Sequence, residues 1–238
     1  MTIKKGDFVE LEYTARTADD NQVYDTTILK EAEKAGLVHE HSPDKSYDHS
    51  HEEEYKPIKI CVGEKHVLSG LDKKLEGLTL GKHEVKLSVD EAYGKKNPKQ
   101  LKLIPMNVFK KQNIQPYIGL QLNIDNQLGT VRNVSGGRVI VDFNHPLAGK
   151  EVVYDLNIKK KIEDTEEKVK SILDIIRIPY EKAEAKEGKA VITLLQEIPE
   201  QYLKMLSEDI KRILGIEAEF KAKGKEEKKK ESKENNKV

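Results

Sequence analysis

The sequence predicts an α+β protein built from several small domains. Short stretches in which apolar and polar residues alternate indicate half-buried antiparallel strands, and the short helix patterns between them carry one apolar face each. Beyond residue 161 the pattern changes to longer amphipathic helices. A chain of 238 residues, of which 37% are hydrophobic, supports several small cores more readily than one large core.

The first strand is predicted at residues 3–17, where Phe8 and Leu11 recur among polar residues. A turn at 18–21, rich in Asp and Asn, leads to a second short strand at 22–25. The chain therefore begins with two strands close in sequence.

A short helix follows at 28–35, and Gly36 behind it suits the left-handed conformation in which helices often end. Residues 38–56 are rich in His, Asp, Ser and Glu, so we expect a long surface loop there. A third strand is predicted at 57–63.

The next helix is predicted at 67–77, and a half-buried strand at 81–89 comes after it. The apolar face of this helix consists of Val67, Leu68, Leu71 and Leu75. This arrangement predicts a helix packed on a small sheet.

Residues 95–143 have the pattern of a separate β unit. Strands are predicted at 120–124, 128–134 and 138–143, with hairpin-type turns between them, and strand character returns at 152–158. We therefore expect a small β domain inserted between two strands of the first domain.

A third, α+β domain is predicted after residue 161. Asp164, with Glu three residues later, indicates a helix start, while Pro199 and Gly215 delimit a second helix. Strands are expected at 190–195 and 216–222. The apolar stripes of the helices consist of Val169, Ile172, Leu173 and Ile176, and of Leu203, Leu206, Ile210, Ile213 and Leu214. Three roles are open for these stripes, namely packing on the sheet of this domain, binding of clients, or formation of a homodimer interface. We expect the homodimer interface.

The composition excludes several classes of protein. The 42 Lys and Arg balance 42 Asp and Glu, so the basic excess typical of nucleic-acid-binding proteins is lacking, and no specific nucleic-acid partner is expected. No stretch resembles a membrane span or a secretory leader. The single cysteine, Cys61, is expected to be a buried apolar residue. A cytoplasmic protein is predicted, with a disordered charged tail at 223–238.

The sequence lacks a glycine-rich phosphate loop, an HExxH motif and a CxxC motif. Instead, a series of short segments occurs in a particular order along the chain. They are Leu11-Glu12-Tyr13, Val23-Tyr24-Asp25, Pro57 to Gly63, Val67 to Leu71, Ala92-Tyr93-Gly94, His145 to Lys150 and Val153-Tyr154. With "NHPLAGK" after an insert, this order resembles the FKBP-type peptidyl-prolyl cis/trans isomerases, and within them the long SlyD-like branch common in archaea.

The resemblance covers residues 1–159 and implies an FKBP-like twisted antiparallel half-barrel wrapped on a short helix. It implies a catalytic domain at 1–94 and 144–160 and an insert-in-flap chaperone domain at 95–143. The α+β domain at 161–222 has no family match. The implied function is X–Pro isomerisation in folding polypeptides without a cofactor, together with binding of unfolded or nascent chains that contain proline.

Carried over by motif, the resemblance implies a prolyl pocket with Asp25 at its rim, lined by Tyr13, Tyr24, Ile58, Val67, Leu68, Leu71, Tyr93 and Tyr154. Two positions depart from the single-domain members of the family. Leu71 stands where they have Trp, and Ile58 stands where they have an aromatic residue. Asp25 also fits the alternative role of a helix cap for residues 28–35.

Two further groups of residues carry open alternatives. The pairs His39 and His41, and His49 and His51, have the spacing of a metal chelate in extended chain, although a solvated loop is the expectation. Apolar residues of the insert either bind clients or cover the hinge; the client-binding candidates are Ile104, Met106, Phe109 and Tyr117. A holdase with weak isomerase activity and a metal-handling protein are the alternative functions.

Overall fold

A computed structural model describes residues 2–38, 55–186 and 188–222. The chain forms two compact units. The first contains the described residues within Met1–Ala15, Tyr24–Val85 and Tyr154–Val238, and the second contains Arg16–Val23 and Lys86–Val153. The predicted disordered tail and most of the predicted surface loop lie outside the described residues.

Five strands that lie mainly in the first unit form one sheet. They are β1 (Phe8–Thr17), β2 (Val23–Thr26), β3 (Ile58–Cys61), β4 (Gly81–Leu87) and β9 (Val152–Ile162). Their order is β2-β1-β9-β4, and β3 pairs antiparallel with β1, so that Phe8 faces Cys61 and Leu11 faces Ile58. The strands predicted from sequence are confirmed with different bounds, since β1, β3 and β4 are shorter than predicted, β2 is displaced by one residue, and β9 continues to Ile162.

Two short helices belong to the same part of the chain. Helix α1 (Leu29–Ala35) ends at Gly36, which adopts the predicted left-handed conformation at φ 67°. Helix α2 (Ser69–Leu75) buries Leu71 and Leu75. It begins later than predicted, because Leu68 is its N-cap residue, with a non-helical ψ of 130°, and lies outside the helix.

The second unit holds a four-stranded sheet with its own core. Its elements are a 3₁₀ turn (Pro98–Gln100), β5 (Leu101–Pro105), α3 (Met106–Lys111), β6 (Gln121–Ile124), β7 (Gln127–Ser135) and β8 (Arg138–Asp142). The strand order is β5-β8-β7-β6. Three strands were predicted. Strand β5 and helix α3 were not, because β5 is an edge strand that ends in Pro105 and α3 has only six residues.

The C-terminal part of the first unit contains a three-stranded sheet and two helices. Its elements are α4 (Thr165–Ile175), β10 (Tyr180–Lys186), β11 (Lys189–Leu194), α5 (Glu200–Leu214) and β12 (Glu217–Ala222). Strand β11 pairs antiparallel with β10 and parallel with β12, since α5 makes the crossover between β11 and β12. The sequence did not predict β10, whose residues are mostly polar.

The predicted helix ends of this part are confirmed. Asp164 accepts a hydrogen bond from the backbone N–H of Glu167 at 2.7 Å, which caps α4. Pro199 is the N-cap residue of α5, and Gly215 ends that helix at φ 71°. Ile176 lies past the end of α4 and is 45% exposed, so it does not extend the buried stripe.

The apolar stripes of both helices pack within the first unit, although Leu203, Ile213 and Leu214 of α5 are only half-buried. Val169, Ile172 and Leu173 of α4, with Leu206 and Ile210 of α5, belong to one core. Phe8 and Cys61, from β1 and β3, belong to the same core and are 1% and 0% exposed. The buried state of Cys61 confirms its prediction. The stripes pack inside the molecule, so the expectation that they form a homodimer interface is wrong for these buried residues.

Candidate active site

Three tyrosine side chains converge in the first unit, from the neighbouring strands β1 and β2 and from the distant strand β9. The rings of Tyr13 and Tyr154 lie 5.6 Å apart with planes tilted by 57°. Tyr24 meets Tyr154 edge to face at 6.5 Å, and the Tyr24 hydroxyl lies 3.2 Å from the Tyr154 hydroxyl. Tyr154 is 4% exposed, whereas Tyr13 and Tyr24 are half-buried. The cluster forms an aromatic wall with hydroxyl groups on it.

Asp25 lies beside this wall. The Tyr13 hydroxyl donates a hydrogen bond to Asp25 Oδ2 at 2.7 Å. The alternative role of Asp25 as a cap for α1 is wrong, because the N-cap residue is Ile28 and no side chain caps the helix there. Thr26 Oγ1 instead accepts a hydrogen bond from the Ile28 N–H at 3.1 Å. Asp25 is exposed, so its carboxylate is held by Tyr13 and also meets solvent.

Thr27 fixes the backbone at Tyr13 and was not predicted from sequence. Its hydroxyl accepts a hydrogen bond from the Tyr13 N–H at 2.8 Å, and its own N–H donates to the Tyr13 carbonyl at 2.9 Å. Thr27 is 7% exposed. A Thr-Thr pair directly after Asp25 was the available sequence signal.

The apolar candidates come from β3, α2 and the turn between them. Leu71 is 1% exposed, while Ile58, Val67 and Leu68 are half-buried. Ile58 faces Leu11 across the β1–β3 pair, and Leu11 lies two residues before Tyr13 on β1. These side chains supply apolar surface in the same unit as the tyrosines.

The turn that leads to Val67 is held by two side chains that sequence reasoning missed. Asp72, 3% exposed, accepts hydrogen bonds from the N–H groups of Gly63 and Lys65, both at 2.9 Å. His66 Nδ1 accepts a hydrogen bond from the Cys61 N–H at 3.1 Å. Burial lowers the pKa of His66, which favours the neutral ring that this bond requires.

Tyr93 belongs to the second unit. It lies in a turn in which the Ala92 N–H donates to the Ser88 carbonyl at 2.9 Å and the Gly94 N–H donates to the Val89 carbonyl at 2.8 Å. Its ring is half-buried and stacks on His145, with the centroids 4.3 Å apart and the planes 5° from parallel.

Comparison with known proteins decides the family. The family model described as FKBP-type peptidyl-prolyl cis-trans isomerase matches residues 1–111. The FKBP-type 16 kDa peptidyl-prolyl cis-trans isomerase of Escherichia coli is 30% identical over 109 residues, which are 43% of this chain and 72% of the relative. The chain belongs to the FKBP-type peptidyl-prolyl cis-trans isomerase family. It is thus a prolyl isomerase with an FKBP-like α+β fold, as the sequence predicted.

Other relatives of this FKBP-type isomerase cover different shares of it. The short-type peptidyl-prolyl cis-trans isomerase of Methanocaldococcus jannaschii is 27% identical over 158 residues, 66% of this chain and 92% of the relative. The SlyD protein of Pasteurella multocida is 30% identical over 118 residues, 48% of this chain and 59% of the relative. A family model described as FKBP26, IF domain, matches residues 102–147, within the second unit.

The client-binding candidates of the FKBP-type isomerase differ in exposure. Tyr117 is 61% exposed, and Ile104 and Met106 are half-buried against the core of the second unit. Phe109 is 3% exposed and lies in that core, because α3 turns its ring towards the sheet residues Val131, Val139 and Val141. Phe109 is therefore a core residue. The exposed apolar side chains of this unit are Leu101, Leu103, Val108, Tyr117, Ile118 and Leu128.

The metal hypothesis concerned His39, His41, His49 and His51, which lie outside the described residues. Within residues 2–38, 55–186 and 188–222, no group of three or more His, Cys, Asp or Glu side chains has the arrangement of a metal site. None of the helices in these same ranges is long and apolar enough to cross a membrane.

Proposed function

We propose that X–Pro bonds rotate on a pocket whose walls are the three tyrosines of the first unit. The observation that carries this proposal is the convergence of Tyr13, Tyr24 and Tyr154 beside Asp25. The remaining proposed residues of this pocket, all in the first unit, are Ile58, Val67, Leu68 and Leu71. Tyr93 stays a separate site prediction within the second unit. The proposed catalytic domain comprises residues 1–94 and 144–160.

The reaction needs no acid, base or metal. Rotation of an X–Pro amide meets a barrier of about 20 kcal/mol, because resonance across the C–N bond is lost in the twisted state. The twisted amide has less charge separation than the planar amide, so an apolar pocket around the proline ring favours it. Leu71 and the aromatic wall supply that apolar surface.

Polar groups at the rim have a second role in this proposal. The backbone N–H groups near Leu68 hold a carbonyl that flanks the proline. A separate proposal is that the Tyr93 hydroxyl holds a carbonyl of the substrate. Asp25, oriented by the 2.7 Å hydrogen bond from Tyr13, faces the rotating carbonyl and orients its dipole. Fixed groups of this kind lower the barrier because they need no reorganisation during rotation.

Turnover of a proline tetrapeptide tests this site. Tyr13→Phe removes only the hydroxyl that holds Asp25, and we expect a 3- to 10-fold lower kcat/KM, equivalent to about 1 kcal/mol. Tyr93→Ala is expected to lower it further. Tyr180→Phe is the matched control, since the Tyr180 hydroxyl also donates a hydrogen bond to an aspartate, Asp174 Oδ1, at 3.2 Å but belongs to β10. Full turnover by both Tyr13→Phe and Tyr93→Ala contradicts the proposed site. No turnover by the wild type favours the holdase alternative.

We further propose that the second unit binds unfolded chains. The proposed chaperone domain comprises residues 95–143, and the match to an IF domain at 102–147 supports it. Its exposed apolar surface includes Leu103 and Tyr117, 56% and 61% exposed. Apolar side chains that remain open to water supply the binding energy for unfolded segments.

Two assays, tetrapeptide turnover and catalysed protein refolding, separate this role from catalysis when they are applied to one double variant and its control. Leu103→Ser combined with Tyr117→Ser is expected to leave tetrapeptide turnover unchanged and to slow catalysed refolding of a protein limited by proline isomerisation by at least 10-fold. Leu80→Ser is the control, because Leu80 is a 48% exposed leucine of the first unit. Equal catalysis of protein refolding by the double variant and the wild type contradicts the proposal.

The homodimer is proposed through the C-terminal part, at residues 161–222, by the exposed side chains that lie next to the buried part of the stripes. A groove of about 490 Å³ there is lined largely by apolar residues, and two of them, Tyr202 and Met205, are 56% and 61% exposed. A second copy is its proposed occupant. Light scattering at tens of micromolar should give a dimer mass for the wild type and a monomer mass for Met205→Lys. A monomer mass for the wild type contradicts the dimer.

The proposed setting is the cytoplasm, and the proposed substrates are nascent or unfolded polypeptides that contain proline. The relative from Methanocaldococcus jannaschii, an archaeon, is consistent with an archaeal source. Localisation of a fluorescent fusion and crosslinking to nascent chains test these two points.

A further inference from the structure

The segment Asn144–Lys150 carries the motif that distinguishes the sequence, yet the proposed pocket does not use it. It forms a compact turn in which the Ala148 N–H donates to the His145 carbonyl at 2.9 Å. His145 Nδ1 accepts a hydrogen bond from the Leu147 N–H at 3.2 Å. Because Nδ1 is an acceptor, the proton of the neutral ring resides on Nε2. The side chain of His145 is thereby held in one orientation by its own turn.

This turn makes two contacts with the turn that carries Tyr93. The His145 ring stacks face to face on the Tyr93 ring, with 4.3 Å between centroids and 5° between planes. The Gly149 N–H donates to the Gly94 carbonyl at 2.8 Å, one residue after Tyr93. One contact orients the tyrosine ring and the other fixes the backbone beside it.

Hydrogen bonds also hold the start of the motif. The Asn144 N–H and Nδ2 both donate to Asp142 Oδ1, at 2.9 and 2.8 Å, and Asn144 Oδ1 accepts from the Asn97 N–H at 2.7 Å. Asp142 is 4% exposed and also accepts from Arg132 Nε at 3.2 Å. The first residue of the turn is therefore joined to the sheet of the second unit.

An ion pair holds the end of the motif. Lys150 Nζ lies 3.3 Å from Asp19 and 3.2 Å from Asp20, within the same unit. With both ends joined to the unit, His145 presents its ring from a rigid support.

We propose that His145 is a positioning residue that fixes the ring plane of Tyr93 for catalysis. This inference rests on the proposed role of the Tyr93 hydroxyl in holding a substrate carbonyl. A stacked aromatic pair removes the rotational freedom of the tyrosine before substrate binds, so less freedom is lost in the transition state. The contribution of such a pair corresponds to a 3- to 10-fold change in rate.

Two substitutions separate stacking from turn formation. His145→Phe retains the aromatic face and loses the Nδ1 acceptor. His145→Asn retains an acceptor for the N–H two residues later, as in Asx-turns, and loses the aromatic face. The control is His83→Asn, a histidine of the first unit whose Nε2 contacts the Thr79 carbonyl at 2.7 Å.

The experiment measures kcat and KM for a proline tetrapeptide with the full chain, in wild-type and Tyr93→Ala backgrounds, and the melting temperature of each variant. We expect His145→Asn to lower kcat 3- to 10-fold with little change in KM, and His145→Phe to stay within 2-fold of the wild type. In the Tyr93→Ala background, His145→Asn should cause no further loss. If His145→Asn does not fold, His145→Leu replaces it with the same expectation.

Several results overturn the inference. An unchanged kcat in His145→Asn overturns it. An equal loss of kcat in His145→Asn and His145→Phe also overturns it, because that pattern indicates a role in the turn alone. The inference is likewise overturned if His145→Asn lowers kcat equally in the wild-type and the Tyr93→Ala backgrounds. If Tyr93→Ala itself retains full turnover, the proposed role of Tyr93 fails together with the inference. If Tyr93→Ala loses turnover and His145→Asn does not, the inference alone fails.

Discussion

Glu167 joins the C-terminal part of the first unit to the five-stranded sheet, and its removal is the most informative stability test. Its Oε1 atom lies 2.8 Å from Lys59 Nζ of β3 and 2.8 Å from Lys160 Nζ of β9. Hydrogen bonds from Lys160 and then Lys59 lower the pKa of the Glu167 carboxyl from 4.5 to about 2. Glu167→Gln retains the shape of the side chain and removes its charge.

The structure sets the size of the effect. At about 1.4 kcal/mol per pKa unit, the lowered pKa corresponds to an upper limit of roughly 3 kcal/mol. The Lys59 and Lys160 side chains are 35% and 49% exposed, so water screens both pairs. We therefore expect Glu167→Gln to lower the free energy of unfolding by about 1–2 kcal/mol at pH 7.

The stabilisation by Glu167 should weaken as the pH falls. The folded state lowers the pKa of Glu167, so its stabilisation is fully present above pH 4.5 and is lost as the pH falls towards about 2. Urea unfolding of wild type and Glu167→Gln at pH 7, 4 and 2.5 should show a difference in free energy that shrinks with falling pH. It should also shrink in 1 M NaCl, where the Debye length is about 3 Å.

Glu208→Gln, at an exposed carboxylate of α5, is the control and should have little effect. A difference between Glu167→Gln and wild type below about 0.3 kcal/mol, or one that is independent of pH, would refute the reasoning.

Three further predictions concern the first unit. Phe8→Ala should lower the free energy of unfolding in urea by about 3–5 kcal/mol, because the ring is 1% exposed; a loss below 1 kcal/mol contradicts its core position. Burial raises the pKa of the Cys61 thiol to about 12, so iodoacetamide at pH 8 should label it only in denatured protein, as mass spectrometry would detect. Asp72→Ala should cost about 2–3 kcal/mol in the same urea assay, since two N–H groups lose a charged acceptor; unchanged stability argues against that role.

Local sequence patterns predicted most of the secondary structure. Gly36 and Gly215 ended α1 and α5 as expected, because only a residue without Cβ adopts the left-handed conformation at little cost. Asp164 capped α4 because its short carboxylate reaches the N–H three residues later. Strand β10 was not predicted, because pairing with β11 outweighs the weak strand preference of its Lys, Glu and Ala residues.

Candidate site residues were predicted from the order of motifs, and their interactions required the structure. The sequence indicated Tyr13, Tyr24 and Tyr154 but could not place the Tyr24 and Tyr154 hydroxyls 3.2 Å apart, since 130 residues separate them. It also could not assign Asp72, whose bonds to Gly63 and Lys65 exist only once α2 packs beside the turn.

The sequence alone determined the family, the α+β class, the candidate tyrosines and the helix ends at Gly36, Asp164, Pro199 and Gly215, because these depend on local residue patterns. Only the tertiary structure decided which apolar surfaces are covered. The stripes of α4 and α5 meet Phe8 and Cys61 in one core, and Phe109 is buried while Tyr117 is exposed. An apolar residue has the same local signal in either case, and its burial depends on which distant segment packs against it.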